Sequence, residues 1–102
     1  MSMYKTIMTP ELESLLSRKE NLNIVDVRDV WEFESGHIKG ALNIPLGELE
    51  DQYKKLSKDK MYHIICLTGH RSQEASRFLS NQGFNVVNVM GGMSIYKGAM
   101  SQ

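Results

Sequence analysis

The segment that decides the fold is YHIICLTGHR at residues 62–71, followed by SQEASRFLSNQG at residues 72–83. The first segment opens on apolar and β-branched residues, which predict a buried strand. The second carries apolar residues at helical spacing and ends in Gly83, which predicts a helix over residues 72–82 closed by a left-handed glycine cap. The single cysteine of the chain, Cys66, therefore lies where a strand ends and a helix is about to begin.

The position of Cys66 favours a bound anion. The first amides of a helix have no partner within the helix, and the helix dipole adds partial positive charge there. Gly69 lets the loop adopt a turn that a Cβ would disfavour, and Arg71 adds a permanent positive charge. Successive N–H groups of such a loop can surround an anion. We therefore expect the sulfur to be stabilised as a thiolate and to act as a nucleophile.

Cys66 also has a purely structural interpretation. A lone cysteine at the end of a strand is usually a small buried hydrophobe. The glycine, the arginine and the start of the helix each contribute to an anion site, and together they strengthen the functional interpretation. The residues by themselves leave both interpretations open.

The composition predicts one compact intracellular domain. The 102 residues suit a single domain over residues 1–102. The 12 basic and 12 acidic residues balance, which argues against a general nucleic-acid partner. One cysteine excludes an internal disulfide and fits a reducing compartment, so we expect a cytoplasmic protein. No apolar run approaches a membrane span, and the N-terminus lacks the apolar core of a secretion signal.

Strands and helices are predicted to alternate along the chain. The strands are predicted at residues 4–7, 23–27, 41–44, 62–65 and 86–89, and the helices at residues 10–18, from Leu46 onward, 72–82 and 93–99. Thr9 is expected to cap the first helix, and Trp31 and Phe33 are expected in the core. Such alternation predicts a parallel sheet covered on both faces, with ligands beyond the carboxyl ends of the strands, where Cys66 lies.

Four segments resemble the motifs of a single-domain rhodanese, in the same order. Residues 24–28 (IVDVR) resemble the Asp-x-Arg strand of that family. Residues 31–45 (WEFESGHIKGALNIP) resemble its Glu-x-x-x-Gly-His-Ile-x-Gly-Ala-x-Asn-Ile-Pro signature. Residues 66–72 (CLTGHRS) resemble its active-site loop, and residues 91–93 (GGM) resemble its closing turn. The resemblance spans almost the whole chain, and the second and third motifs together are specific.

The resemblance implies a three-layer α/β/α fold with a five-stranded parallel sheet in the order 3-2-4-5-1. It also implies a thiosulfate sulfurtransferase, in which the cysteine takes the outer sulfur of a donor and carries it as a persulfide. An acceptor, cyanide in the assay or a thiol in the cell, then removes that sulfur in a double displacement. The implied donor is thiosulfate or a small persulfide, with a protein partner as an alternative. No metal or organic cofactor and no membrane partner is expected.

Carried over by position, the resemblance makes Cys66 the nucleophile. The residues implied to form the amide cradle and bind the substrate are Leu67, Thr68, Gly69, His70 and Arg71. Arg71 is also expected to attract the anionic donor and to support the loop. Asp26 and Arg28 are expected to support the fold beside the site rather than to react.

The histidines and two departures from the family pattern also matter. For His70, inside the loop, a role in the chemistry and a bystander position both stay open. His37 and His63 are expected to be structural. Tyr96 stands where the family often has a tryptophan, which should affect packing only. Leu67 stands where many members have a polar or basic residue, which removes one contact to the donor.

Other functions on the same fold stay open. A related phosphatase or arsenate reductase has one residue more between its cysteine and its arginine than the four that separate Cys66 from Arg71. A cradle shortened by one amide suits a single sulfur atom better than a phosphate group. A non-enzymatic binding or regulatory module is a further alternative, although such modules commonly lack the cysteine. A sulfur carrier loaded by a protein donor is another.

Overall fold

The computed structural model describes residues 3–102. The strands in this range are β1 (Lys5–Met8), β2 (Asn23–Asp26), β3 (His37–Ile38), β4 (Leu42–Asn43), β5 (Met61–Ile65), β6 (Asn85–Met90) and β7 (Met100–Ser101). The α-helices are α1 (Thr9–Ser17), α2 (Val30–Ser35), α3 (Leu49–Gln52) and α4 (His70–Asn81), and 3-10 turns cover Leu46–Glu48, Tyr53–Lys55 and Gly92–Ile95. None of the helices within residues 3–102 is both long enough and apolar enough to cross a membrane.

Five of the strands form a parallel sheet in the order β1-β6-β5-β2-β4. Numbered along the chain, this is the predicted order 3-2-4-5-1, so the fold class is confirmed. The central strand, β5, has both Ile64 and Ile65 fully buried, because the sheet is covered on both faces. Since the strands run in one direction, the loops after β2, β5 and β6 emerge together at what we call the carboxyl edge of the sheet.

Two apolar clusters join the sheet to its helices. On one face, Ala75 and Leu79 of α4 pack in the cluster that includes Ile64. On the other face, Leu12 of α1 packs in the cluster that includes Ile65. Fully burying side chains of this size contributes roughly 1.5–3 kcal/mol each. The central strand is thus anchored from both sides, which fixes the position of Cys66 immediately after it.

Helix α4 begins two residues before the predicted start, at His70 instead of residue 72. Its end agrees with the prediction, because Gly83 adopts a φ of +93° and the N–H of Phe84 donates to the carbonyl of Leu79 at 3.0 Å. The predicted left-handed glycine cap is therefore confirmed. The earlier start places His70 and Arg71 in the first turn of the helix rather than in a loop.

Thr9 does not cap helix α1, so that prediction was wrong. Met8 occupies the N-cap position, and Thr9 is the first helical residue. The Thr9 side chain is fully buried, and its hydroxyl lies within donating distance of the carbonyls of Met90, at 3.3 Å, and Gly92, at 2.9 Å. A threonine before a proline is locally compatible with capping, but the packing of α1 against the turn after β6 directs this hydroxyl across the fold.

Trp31 is not in the core, contrary to the expectation. It lies in α2, where 70% of its surface is exposed. Phe33 is half-buried and stacks on the ring of His37, with the ring centroids 3.7 Å apart. The Nδ1 atom of His37 lies 2.7 Å from the carbonyl oxygen of Phe33, so this histidine is hydrogen-bonded as expected. Helix α2 has six residues and buries none of them, so its apolar residues do not form a core-facing stripe.

The segment after the turn at Gly92 is not the helix predicted over residues 93–99. It forms a 3-10 turn and then strand β7, which pairs antiparallel with β3, so that His37 lies opposite Ser101. Two-residue strands show no hydrophobic period, and for that reason the sequence did not predict this ribbon. The ribbon joins the residues that follow α2 to residues 100–101.

We expect Thr9→Val to lower the free energy of unfolding by about 1–3 kcal/mol, because valine keeps the shape of threonine but removes a donor shared by two carbonyls. Thr6→Val is the matched control, since Thr6 is exposed on β1. Its effect should stay within about 0.5 kcal/mol. Urea unfolding followed by circular dichroism measures both variants, and equal effects would contradict the role given to the Thr9 hydroxyl.

Candidate active site

Cys66 follows the last residue of the central strand β5 and lies at the carboxyl edge of the sheet. Only 1% of its surface is exposed, so the thiol lies beneath the loop of residues 66–69, which we call the Cys66 loop. Burial alone is equally typical of a structural cysteine. The groups that surround the sulfur atom therefore distinguish the two interpretations.

Two backbone amides point at the sulfur of Cys66. The N–H of Gly69 donates to Sγ at 3.0 Å, and the N–H of Ser72 donates to it at 3.3 Å. The thiol in turn donates to the Ser72 hydroxyl at 3.4 Å, and that hydroxyl donates to the carbonyl of Gly69 at 3.1 Å. Ser72 lies in the first turn of α4, so its amide is one of those left unpaired at a helix start. Both amide bonds become charge-assisted, and stronger, when the sulfur carries a negative charge.

The turn of residues 91–94 holds the Cys66 loop in place. Three consecutive carbonyl oxygens of the loop accept N–H groups from this turn, each at 2.8 Å: Cys66 from Met93, Leu67 from Ser94 and Thr68 from Gly91. In a trans peptide unit, the C=O group and the N–H of the next residue point in opposite directions. The bond from the turn to the Thr68 carbonyl therefore directs the N–H of Gly69 away from the turn and toward the sulfur.

The amides on the sulfur are only partly those that the sequence predicted. Within residues 3–102, the amides that donate to Sγ are those of Gly69, which was predicted, and Ser72, which was not. The N–H groups of the other four cradle residues do not donate to the thiol, and their part in holding an added sulfur stays a prediction. Ser72 belongs to the CLTGHRS motif, but the predicted start made it the first residue of the helix, whereas it is the third residue of α4.

Arg71 is paired with a carboxylate of α2. Its Nη1 and Nη2 atoms donate to the two oxygens of Glu32, at 2.8 Å and 3.0 Å. The hydrogen bonds from Arg71 hold the pKa of Glu32 below its ordinary value, and Glu32 raises the pKa of Arg71. Arg71 is also close enough to Cys66 that a negative charge on the sulfur would raise the pKa of Arg71 further. The pair ties the first turn of α4 to α2, and attraction of an anionic donor by Arg71 stays a prediction.

His70 and Thr68 lie together on the exposed side of the loop. The Thr68 hydroxyl oxygen is 3.2 Å from Nδ1 of His70, and both residues are exposed. His70 does not hydrogen-bond to the sulfur, so its part in the chemistry stays open. No group of three or more histidine, cysteine, aspartate or glutamate side chains within residues 3–102 is arranged to hold a metal ion.

Asp26 and Arg28 form a buried ion pair at the carboxyl end of β2. The Nη2 atom of Arg28 lies 2.9 Å from Oδ2 of Asp26, and its Nε atom lies 3.0 Å and 3.1 Å from the two carboxylate oxygens. Nη2 also donates to the carbonyl of Gly36 at 2.7 Å, which joins β2 to the end of α2. The side-chain amide of Asn43 donates to the backbone carbonyls of Asp26 and Arg28. These bonds hold segments of the fold together, and the part of Asp26 and Arg28 in supporting the site stays a prediction.

A cysteine held under amides at the carboxyl edge of a parallel sheet, at the start of a helix, defines an α/β domain with a cysteine loop. The chain belongs to the rhodanese-like domain family, whose model matches residues 8–99. A crystal structure of a rhodanese-like domain protein from Staphylococcus aureus superposes with a TM-score of 0.88 at 34% identity, covering 95% of this chain and 96% of that one.

Three curated relatives carry names that refer to sulfur. YrkF of Bacillus subtilis, named as a sulfur carrier protein, is 45% identical over 78% of this chain but 43% of its own length, so the chain spans less than half of YrkF. YtwF of Bacillus subtilis, named as a sulfurtransferase, is 38% identical over 92% of this chain and 91% of its own length. GlpE of Pseudomonas putida, named thiosulfate sulfurtransferase, is 35% identical over 95% of this chain and 88% of its own length.

We expect Gly92→Ala to destabilise the protein by about 3 kcal/mol, because the residue has both a left-handed backbone and no room for a side chain. Gly92 has a φ of +55°, and an added Cβ would lie 2.3 Å from the carbonyl oxygen of Cys66. Gly47→Ala is the control, since nothing lies within 4 Å of its Cβ position. Urea unfolding measures both variants, and a Gly92→Ala protein as stable as Gly47→Ala would contradict the close contact.

We expect Glu32→Gln to lower the free energy of unfolding by about 1–2 kcal/mol at neutral pH, because Arg71 loses its charged partner. The folded-state pKa of Glu32 lies below its ordinary value of 4.5. The Glu32 carboxylate therefore makes its full contribution to the free energy of unfolding when the pH is above its ordinary pKa. This contribution is lost as the pH falls through the folded-state pKa. The stability difference between wild type and variant should therefore shrink as the pH falls below 4.5 and through the folded-state pKa of Glu32.

Glu34→Gln is the control for this pH dependence, since Glu34 is an exposed residue of the same helix. Its urea midpoint should match that of the wild type at neutral and at acidic pH. A Glu32→Gln difference that persists unchanged at acidic pH would show that the lost stability does not come from the ionised carboxylate.

Proposed function

We propose that this protein is a sulfurtransferase of the thiosulfate type that carries a sulfane sulfur as a persulfide on Cys66. The observation that carries the proposal is the pair of amide donors, from Gly69 and Ser72, aimed at the Cys66 sulfur. A structural cysteine needs no such donors, whereas a thiolate and a persulfide anion are both stabilised by them. The sulfur is buried, but it is buried against N–H groups at a helix start rather than within apolar side chains alone.

The proposed reaction consists of two displacements. In the first, the Cys66 thiolate attacks the outer sulfur of thiosulfate, a sulfur–sulfur bond to Cys66 forms, and sulfite leaves with the electrons of the broken bond. In the second, cyanide or a thiolate attacks the outer sulfur of the persulfide, and Cys66 leaves as a thiolate. No oxidant or reductant is required, because the acceptor receives a sulfur atom of unchanged oxidation state.

The remaining residues of the loop would act on the sulfur that is added. An outer sulfur would extend beyond Sγ, so we expect amides that do not reach the thiol to bind the persulfide. These are the amides of Leu67, Thr68, His70 and Arg71. Arg71 would also attract the anionic donor, since it carries a permanent positive charge in the first turn of α4. Asp26 and Arg28 would support the strand end beside the loop.

The names of the relatives support sulfur transfer as the reaction class. YtwF and GlpE are named sulfurtransferases, and GlpE is named for thiosulfate. We therefore propose thiosulfate or a small persulfide as the donor and a thiol as the acceptor. A nucleophile that must remain a reduced thiol suits a reducing compartment, and we propose a cytoplasmic location on that basis.

We expect thiosulfate to increase the mass of the intact protein by about 32 Da, one sulfur atom, and thiocyanate to form when cyanide is added. Cys66→Ser should show neither product, because it lacks the nucleophile. Ser72→Ala should keep activity to within about tenfold, since the variant retains the backbone amide that faces the sulfur. Mass spectrometry and thiocyanate colorimetry give the two measurements.

The same preparation, incubated with an aryl phosphate, should release no phosphate. Phosphate release without thiocyanate would replace the proposal by a phosphatase on the same fold. A wild-type protein that gains no sulfur from thiosulfate, or from glutathione persulfide, would favour a non-enzymatic module instead.

A further inference from the structure

Three large apolar side chains, in the Cys66 loop or on segments bonded to the site, are exposed. They are Trp31, Leu67 and Ile95, with 70%, 42% and 44% of their surfaces exposed. Leu67 follows the nucleophile directly. Ile95 follows Ser94, whose N–H binds the Leu67 carbonyl. Trp31 precedes Glu32, which binds Arg71. All three therefore lie on segments bonded to the site, and we call them the apolar rim.

Arg28 and Arg71, the two arginines described at the site, each pair with a carboxylate. Arg28 is paired with Asp26, and both side chains are almost completely buried. Arg71 is the permanent cation among residues 66–71, and it binds both oxygens of Glu32. Recognition of a small dianion usually relies on arginine or lysine donors that are available to the ligand. Because Arg71 shares its donors with Glu32, contacts outside the loop would add to the recognition of a sulfur donor.

An acidic groove lies between α3 and α4, the helix that begins directly after the Cys66 loop. It has a volume of about 430 Å³, and its lining residues include Leu46, Leu49, Glu50, Asp51, Glu74 and Phe78. The three carboxylate side chains are exposed. Glu74 follows His70 by four residues in α4, so the two share one face of the helix. The groove therefore presents negative charge about one helical turn from His70, the first residue after the Cys66 loop.

We propose, as an extension of the proposed sulfur transfer, that the sulfur donor is a protein whose cysteine persulfide is flanked by basic and apolar side chains. The basic side chains of this donor would bind the acidic groove, which has the complementary charge. Its apolar side chains would cover the apolar rim. The rim includes Trp31, and tryptophan is enriched among the residues that contribute most to binding at protein interfaces. Such contacts favour the binding of a protein donor and contribute nothing to the binding of a free dianion.

The transfer step needs no further reagent. The Cys66 thiolate attacks the outer sulfur of the donor persulfide, the new sulfur–sulfur bond forms on Cys66, and the old bond breaks. The electron pair of that bond stays with the donor cysteine, which leaves as a thiolate. The persulfide proton accompanies the transferred sulfur or passes to the solvent.

Two synthetic peptides of equal length test the inference, each with one cysteine converted to its persulfide. One carries lysine and leucine beside the cysteine, and the other carries glutamate and serine. Mass spectrometry of the intact protein gives the rate at which each peptide adds sulfur to Cys66. We expect the lysine peptide to react about tenfold faster at low ionic strength, and this advantage to fall to about twofold near 0.5 M salt.

Variants assign the preference to the groove and to the rim. In Glu50→Gln/Glu74→Gln, the ratio of the lysine-peptide rate to the thiosulfate rate should fall about fivefold. The matched control is Glu20→Gln/Asp59→Asn, which removes two exposed carboxylates elsewhere. Trp31→Ser should lower the same ratio about fivefold, whereas Met61→Ser, at the opposite end of the sheet, should leave it unchanged.

Each outcome has a definite meaning. The protein-donor inference is wrong if the two peptides react at equal rates, or if the groove and rim variants behave like their controls. In either case the proposed function still holds, provided that thiosulfate adds sulfur to Cys66. If neither peptide, nor thiosulfate, nor glutathione persulfide adds sulfur to Cys66, both the proposed function and this inference are wrong.

Discussion

Three backbone hydrogen bonds between the Cys66 loop and the turn of residues 91–94 determine the geometry of the site. They engage the carbonyls of residues 66–68, and so they set which way the intervening peptide units face. Because a peptide unit is rigid and planar, fixing its carbonyl also fixes the amide on its other side. The N–H of Gly69 consequently faces the sulfur. The polarity around Cys66 is thus a property of the backbone, and it requires no charged side chain next to the sulfur.

Side chains from distant parts of the sequence hold these two loops in place. Thr9, at the start of α1, binds the carbonyl of Gly92 in the turn. Glu32, in α2, binds the guanidinium of Arg71 in the first turn of α4. Each of these contacts joins elements that emerge at the carboxyl edge of the sheet. The elements at this edge are therefore joined in one hydrogen-bonded network around Cys66. The start of α4 supplies the second amide that faces the sulfur, from Ser72.

Elements with a strong local signal could be predicted from the sequence. The five sheet strands, the glycine cap at Gly83 and the position of Cys66 after a strand all follow from hydrophobic period and turn chemistry. The strand order came from the resemblance to a family and not from these patterns. Predictions failed where one local pattern fits two environments: Thr9 could cap a helix or bind across the fold, and Trp31 could be buried or exposed.

Composition and spacing alone determined that this chain forms an α/β domain with one cysteine at a strand end, because apolar periodicity and glycine conformations are properties of short segments. Only the tertiary structure decided which groups face the sulfur, that Arg71 is shared with Glu32, and that Trp31 lies exposed in a helix bonded to the site. These features depend on contacts between residues tens of positions apart in the sequence. A local sequence pattern does not predict which of several possible distant residues a given residue will contact. The chemistry of Cys66 therefore depends on long-range backbone contacts that place two amides around one buried sulfur atom.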